Sequence, residues 1–515
     1  MITKTYSATL DGIQGAIVQI ESVSLSSLPQ IQLTGLPGEV VKESRERVRA
    51  CLVNLGFDLP SSKILVHLSP ANIKKLGSHY DLPIALAVLA AESRILGASI
   101  SEFGFVGELS LDGRLCYVRG ALPLIEILVK SPNIKRVVIP EENEAEGALL
   151  NSEKIHVAKD IKEIIDFLKN KTSLRSCKKA VAQTKTGSKN IFDQVIGQGI
   201  AKRALQIALA GKHHLLFVGP PGVGKSMLSA SAIGLLPEMG QEEFIEVLKV
   251  YSASTNNVSG PEVEDLIRYR SRPYRAPHHT ISANGLLGGG SGVVVPGEAS
   301  LAHRGVLFMD EFPEYRRDSI EGLREPLQSG SLHLNRVGRA ISLPARFILI
   351  AAMNPCPCGM LSEGANRCRC STEKKAQYRK KLSTPILDRM ALMVKLSSVV
   401  DFHNEEVCEN LNYKNVCDSI ENAYQIQAQR FRGNKELIGN GQCEVPREFR
   451  GFDLTVDQEE WMKSRQKEWT LSFRRVNQVI KVARTIADLE GAQRIEFEHL
   501  KEAWGLRCFD FYQMS

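Results

Sequence analysis

The sequence predicts an α/β protein in which a parallel-sheet domain carrying a phosphate loop sits between an earlier α/β or α+β domain and a set of C-terminal helices. Three observations predict this. The apolar run His214-Leu215-Leu216-Phe217-Val218 leads into Gly219-Pro220-Pro221-Gly222-Val223-Gly224-Lys225-Ser226 and then a helix-compatible stretch over 227–236. Strand, glycine-rich turn and helix are the context in which backbone N–H groups converge on phosphate oxygens. From residue 191 to about 397, short apolar runs alternate with helical patterns, as in a doubly wound sheet. From about 401 the pattern turns helical, most clearly over 461–468 and 473–490.

Composition bounds the class. A chain of 515 residues is long enough for roughly three domains of about 150 residues. With 43% hydrophobic and 24% charged residues it is an ordinary globular sequence, which excludes a disordered or fibrous chain. No apolar stretch approaches the ~20 residues of a membrane span, and Met1-Ile2-Thr3-Lys4-Thr5-Tyr6 lacks the apolar region of a signal peptide. The eleven cysteines are scattered apart from one cluster, which argues against a disulfide framework and for a reducing compartment. The expectation is a cytoplasmic protein with no membrane partner.

In chain order, residues 1–168 mix alternating runs such as Lys63-Ile64-Leu65-Val66-His67-Leu68 with helical patterns such as 82–96. Residues 169–190 hold Lys169, Lys171, Arg175, Lys178, Lys179, Lys185 and Lys189 without an acid, and read as a basic flexible linker. Residues 191–400 form the phosphate-loop core, and 401–515 a helical lid. A second basic run, Arg367, Arg369, Lys374, Lys375, Arg379, Lys380 and Lys381, is opposed only by Glu373. The net charge of +7 is modest, so neither run by itself establishes a nucleic-acid partner.

The chemistry of the core follows from residue types. Lys225 supplies a point charge to the phosphates, Ser226 a hydroxyl for Mg²⁺, and Met227 opens the helix behind them. The run Val306-Leu307-Phe308-Met309 delivers Asp310 and Glu311 at a strand end. Asp310 suits the Mg²⁺ shell and Glu311 suits polarisation of an attacking water. A second run, Phe347 through Met353, ends at Asn354, whose amide suits orientation of the same water. Three strand ends meeting at one crevice fit the ligand rule for open α/β sheets, and favour ATP hydrolysis over binding alone.

Residues 191–510 resemble the AAA+ ATPases of the magnesium-chelatase and MCM-helicase branch, and within it the ComM/YifB family. The residues that carry the resemblance are Val195-Ile196-Gly197-Gln198, the phosphate loop, Arg272-Pro273-Tyr274-Arg275-Ala276-Pro277-His278-His279-Thr280, Pro296-Gly297-Glu298, Leu301 through Glu311, Ala352 through Gly359, and Val482 through Leu489. The resemblance implies active sites between subunits of a ring, usually a hexamer. It makes Arg389, in Pro385-Ile386-Leu387-Asp388-Arg389, the finger that reaches a neighbour's γ-phosphate. Arg474, in Ser472-Phe473-Arg474, would contact the same nucleotide from the lid, although the family usually has a small residue where Phe473 stands.

The N-terminal part is similar to the proteolytic domain of Lon through Gly104 to Arg114 and Val137 to Asn143, a resemblance shared with RadA-type recombination proteins. That chemistry needs a serine activated by a lysine. The serine position falls near His79 and the lysine position near Leu122, and Ser78 with Lys74 or Lys75 does not match the family spacing. The expectation is a protease fold without a catalytic dyad, used for ring assembly or DNA handling.

Cys356-Pro357-Cys358 and Cys368-Arg369-Cys370 bracket a nine-residue loop; four thiolates suit a structural, tetrahedral Zn²⁺. His278 and His279 lack a neighbouring cysteine or acid cluster, and read as a loop or DNA-contact pair. Two insertions are candidates for a central pore. One, 268–296, holds Arg275 and Gly288-Gly289-Gly290-Ser291-Gly292. The other, 332–341, alternates like a hairpin about Val337-Gly338 and places Arg336 and Arg339 for phosphate contacts. The resemblance then implies a hexameric ATP- and Mg²⁺-dependent motor on single-stranded and branched DNA. Its role would be branch migration, extending heteroduplex in recombination during natural transformation, with recombination proteins as possible partners. The alternative is a chelatase-type ATPase that remodels a protein partner.

Overall fold

The computed structural model of the chain describes residues 2–11, 14–58, 62–93, 100–178, 191–254, 270–290, 294–336, 339–363, 367–396, 411–434, 439–444, 446–469 and 472–507. They divide into two compact units. The first holds the N-terminal third, with Phe244–Val258 and Val293–Val295 grouped with it; the second holds the rest.

The first unit is built on β1 (Thr3–Asp11), β2 (Gln14–Leu25), β3 (Gln30–Thr34), β4 (Lys63–Ser69), β5 (Phe103–Phe105), β6 (Glu108–Leu109), β7 (Leu115–Cys116), β8 (Arg136–Pro140), β9 (Ile155–Ala158) and β10 (Arg175–Ser176). Eight of these form one mixed sheet in the order β10-β9-β8-β5-β1-β2-β4-β3, and β6 and β7 pair separately. β1 runs antiparallel to β2 from Thr3 opposite Ser22 to Asp11 opposite Gln14. Along β4, Ile64, Val66 and Leu68 are buried while their neighbours are half-buried, the period of two that puts one face on a core. Helix Asp81–Ala91 is buried from Asp81 to Ala90. Its sequence is apolar nearly all round, so it is a core helix rather than an amphipathic surface one.

One expectation changes here. The stretch 169–190 does not begin as a linker: Arg175 and Ser176 pair with Val157 and His156 of β9, and Arg175 donates to Glu144 at 2.8 Å and Glu141 at 2.8 Å. Two acids distant in sequence neutralise a cation that local composition made look solvated. Residues 179–190 lie outside the described residues.

At the positions aligned with the Lon dyad, His79 is buried with Nε2 2.9 Å from the Ala8 carbonyl, and burial lowers its pKa to about 4. Leu122 is buried in its helix. Ser78 donates to Glu108, and Lys75 donates to the carbonyls of Gly35 and Pro70.

The second unit contains β11 (Leu215–Val218), β12 (Tyr274–Arg275), β13 (Gly288–Gly289), β14 (Val295–Pro296), β15 (Val306–Met309), β16 (Ser331–Arg336), β17 (Arg339–Pro344), β18 (Ile348–Met353) and β19 (Leu392–Lys395), with Val295 of β14 grouped with the first unit. β12-β15-β18-β11-β19 form a wholly parallel sheet. β11, β15 and β18 are buried at every residue, as expected of parallel strands covered on both faces. β16 and β17 make a separate hairpin in which Leu334 faces Ile341 and Arg336 faces Arg339.

Helices Tyr413–Arg430, Val456–Glu468, Phe473–Leu489 and Phe497–Gly505 follow the sheet. Thr455 and Gln458 form a reciprocal cap at the start of the second of these, satisfying two backbone donors that a helix start leaves without partners. Among the described residues no helix is long and apolar enough to cross a membrane.

The helical part is held by a buried charged network. Asp488 accepts two bonds of 2.6 Å from Arg430, one of 3.0 Å from Arg484 and one of 2.8 Å from Asn440. Asp488 and Arg484 are buried. Removing one member leaves the others charged and out of water, which costs about 3–5 kcal/mol. Asp488→Ala is therefore expected to lower unfolding free energy by about that amount, seen as a lower urea midpoint for loss of helical signal.

Candidate nucleotide site and four-cysteine centre

The site forms where three adjacent parallel strands end together. β11 lies between β18 and β19, with Val218 level with Met353, and β18 lies beside β15, with Met309 level with Ala351. The residues that follow, Gly219, Asp310 and Asn354, are therefore neighbours. A cleft of about 380 Å³ is lined by Pro221, Gly222, Gly224, Lys225, Ser226, Met227, Asp310, Glu311, Met353 and Asn354.

The loop gets its shape from its glycines. Gly222 and Gly224 have φ of 82° and 90°, a left-handed conformation that side chains with a Cβ resist. Helix Lys225–Leu235 begins directly after Gly224, two residues earlier than the sequence pattern places it, so its N-terminal N–H groups open onto the cleft.

Lys225 donates to the carbonyls of Gly219 at 2.7 Å and Pro220 at 2.8 Å, and to Asn354 Oδ1 at 3.2 Å. Burial lowers its pKa, and the carboxylates of Asp310 and Glu311 oppose that shift. The lysine thus holds the loop folded against β18, and its ammonium is the cation available to a triphosphate.

Ser226 Oγ donates to Asp310 Oδ2 at 2.8 Å. Adjacent ligands in an octahedral Mg²⁺ shell lie about 2.9 Å apart for Mg–O bonds of about 2.1 Å, so these two oxygens fit neighbouring positions of that ion. Glu311, on the cleft wall, has φ of 49°, a strained conformation for a residue with a side chain.

One participant was not legible as such in the sequence. His279 Nδ1 lies 3.1 Å from Glu311 Oε2, and His278 stacks on it with ring centroids 4.1 Å apart. The loop or DNA-contact reading of this pair did not connect it to the carboxylate. His279 stands 32 residues before Glu311, and only the pairing of β12 with β15 brings their flanks together.

Arg275 also changes role. It belongs to β12 rather than to a pore insertion, and its guanidinium donates to Glu298 at 2.6 Å and 2.9 Å. That fork-to-carboxylate pairing occupies the donors that a DNA phosphate would need.

Arg336 and Arg339 flank the turn of the β16–β17 hairpin; residues 337 and 338 lie outside the described residues. Arg389 donates to the Pro385 carbonyl at 2.8 Å and Gln328 Oε1 at 2.7 Å. Arg474 donates to the same Gln328 oxygen at 3.3 Å. Neither arginine lines the phosphate-loop cleft. Burial lowers the pKa of Arg389, helped by the nearby Arg474 and Arg324, so an anion there would relieve repulsion.

The four cysteines come together. The Sγ atoms of Cys356, Cys358, Cys368 and Cys370 all lie within 4.8 Å of one another, with Cys356 to Cys358 at 3.4 Å, Cys356 to Cys368 at 3.7 Å and Cys358 to Cys368 at 3.8 Å. Zn–S bonds of about 2.3 Å in a tetrahedron put sulfurs about 3.8 Å apart, so the donor set and its spacing fit zinc. Burial pushes the Cys356 thiol up to about 12. The backbone N–H of Met360, with the neighbouring thiols, brings Cys358 down to about 6.

Family comparisons cover the same ground. The family model described as "Magnesium chelatase, subunit ChlI" matches residues 191–404, "Subunit ChlI of Mg-chelatase" matches 20–143, and "Magnesium chelatase, subunit ChlI C-terminal" matches 412–507. The uncharacterized protein YifB of Escherichia coli is 37% identical over 501 residues, 97% of this chain and 96% of that one. The competence protein ComM of Haemophilus influenzae is 36% identical over 508 residues, 98% and 97% of the two chains. This chain belongs to the YifB/ComM family. Its members are magnesium-chelatase-like AAA+ proteins with an N-terminal ChlI domain, and the AAA+ domain makes this YifB/ComM protein an ATPase. A more distant likeness, 26% identity over 223 residues, links it to the DNA replication licensing factor Mcm6 of Drosophila melanogaster, covering 42% of this chain and 26% of that one.

Two outcomes follow for this family member. Lys225→Ala is expected to abolish measurable binding of a fluorescent ATP analogue, whereas Glu311→Gln keeps binding and loses about 10²–10⁴-fold in turnover, the usual worth of a positioned general base. Purified protein is expected to carry about one zinc per chain by elemental analysis, and the double change Cys356→Ser with Cys358→Ser to lose it.

Proposed function

We propose that this chain is a ring-forming, hexameric ATP-driven motor on single-stranded and branched DNA, serving branch migration and heteroduplex extension during natural transformation. The observation that carries the DNA reading is the β16–β17 hairpin, which sets Arg336 opposite Arg339 at its turn. Like charges directly opposite in an antiparallel pair are unfavourable, and a polyanion is the partner that reverses the sign. The likeness to Mcm6 and to a competence protein supports the same reading.

The chemistry is assigned to this chain's residues as follows. Lys225 exchanges its loop carbonyls for phosphate oxygens, and the N–H groups at the start of helix Lys225–Leu235 face the same charge. When bound, Mg²⁺ held by Ser226 and Asp310 would neutralise charge on the phosphates. Glu311 accepts a proton from the attacking water, and Asn354 orients that water.

Arg389 and Arg474, gathered at Gln328 and away from their own cleft, suit the γ-phosphate of an adjacent subunit. An arginine supplied across such a seam is worth about 10³–10⁵ in rate. The second reading, remodelling of a protein partner, is favoured by the chelatase subunit models that match three segments of the chain.

The deciding measurement is ATPase and strand displacement with forked DNA, single-stranded DNA and no DNA. Stimulation by DNA together with displacement is the expected result. Hydrolysis and binding that ignore DNA would hand the case to the protein-remodelling reading. Arg389→Ala mixed with unaltered chains is expected to inhibit beyond its proportion, because each altered chain disables a neighbour's site. Arg336→Ala with Arg339→Ala is expected to weaken DNA binding. Its salt dependence should flatten by about 0.7 in log–log slope for each phosphate of a single strand that the protein no longer neutralises.

A further inference from the structure

We infer that His279 is a positioning residue for the hydrolytic carboxylate, setting the aim of Glu311 without touching the nucleotide. This rests on the reading above in which Glu311 takes the proton of the attacking water.

Three features point the same way. The His279 Nδ1 to Glu311 Oε2 distance of 3.1 Å is a hydrogen-bond distance. A carboxylate only accepts, so the imidazole donates through Nδ1–H. Glu311 lies at φ 49°, a conformation that a carboxylate-bearing residue keeps only when its surroundings hold it. Its side chain remains 55% exposed, so packing does not supply the hold.

The imidazole is itself fixed. His279 meets Tyr315 edge to face at 6.4 Å and stacks on His278. The Tyr315 hydroxyl donates at 2.5 Å to the carbonyl of Pro277, two residues before His279. The strand Tyr274–Arg275 that leads into this segment pairs with Val306 and Leu307 of β15, the strand that ends at Asp310. The histidine therefore rides on the strand next to the one that carries its partner.

Using one carboxylate oxygen for His279 leaves Oε1 to face the cleft, which Glu311 lines. In the step served, the water oxygen bonds to the γ-phosphorus and the bridging P–O bond breaks, its electron pair leaving with ADP. The water's proton passes to Glu311. A carboxylate free to swing spends part of its time aimed away from that water, and small misplacements of a reacting group cost on the order of 10²-fold.

The test compares His279→Ala, His279→Asn and His279→Gln with Glu311→Gln in the full-length protein. An asparagine amide nitrogen takes the place of Nδ1, whereas that of glutamine takes the place of Nε2. The measurements are steady-state ATP hydrolysis and equilibrium binding of a fluorescent ATP analogue, with thermal melting as the check on folding.

The expected result is a fall in kcat of about 10-fold or more for alanine and glutamine, substantial recovery with asparagine, and nucleotide affinity within about two-fold throughout. A His279→Ala protein that melts normally and hydrolyses at the unaltered rate would overturn the inference, as would loss in all three variants without any recovery by asparagine. Should Glu311→Gln itself turn over freely, the assignment of the base fails first. Should Glu311→Gln be inactive while His279→Ala is normal, only the role of His279 falls.

Discussion

The nucleotide site depends on where one ammonium group finds its acceptors. A lysine cannot lie in a largely buried loop unless its donors are satisfied, and Lys225 finds partners in the carbonyls of Gly219 and Pro220 and the amide of Asn354. Two of these belong to its own loop and the third to the end of β18. The same three bonds therefore shape the loop and tie β11 to its neighbour. Because the acceptors are neutral, phosphate oxygens compete for the ammonium on favourable terms.

Around this point the second unit separates tasks by position. Ser226 and Asp310 provide the hard oxygens, Glu311 the carboxylate on the cleft wall, and Arg389 and Arg474 a cationic cluster gathered at Gln328 instead of in the cleft. A chain that keeps its arginines apart from its own phosphate loop has chemistry to offer a neighbour. The four-cysteine centre presses on the loop from the other side: a Cβ added at Gly359 would lie 2.7 Å from Cδ of Pro221. The residue that closes the first cysteine pair is thus glycine where the phosphate loop passes, and changes in the cysteine centre reach the loop directly.

Much of this was legible locally. Four-residue apolar runs bounded by glycine or acid read as buried parallel strands because both faces of such strands are covered. The phosphate loop, Asp310, Glu311, Asn354 and the hairpin over 332–341 announced themselves by residue type within a few positions. Arg275, Arg175 and His279 did not. Each looks like an exposed cation or a loop histidine in its own neighbourhood, and each meets a carboxylate from far along the chain: Glu298, Glu141 with Glu144, and Glu311. Charge patterns show that a cation exists, not which acid a fold will set beside it.

The sequence by itself determined the kinds of groups present: a glycine-rich turn before Lys225, two acids after an apolar strand, and four thiols in two close pairs. Those depend on spacing of a few residues, which covalent geometry transmits directly. Only the tertiary structure decided which of them meet. Strand order placed β18 between β11 and β15 and β12 beyond β15, and so brought Asn354 to Lys225 and set the His279 segment beside Glu311. Strand order is chosen by packing and hydrogen bonding between distant segments, and those energies do not appear in any short stretch of chain.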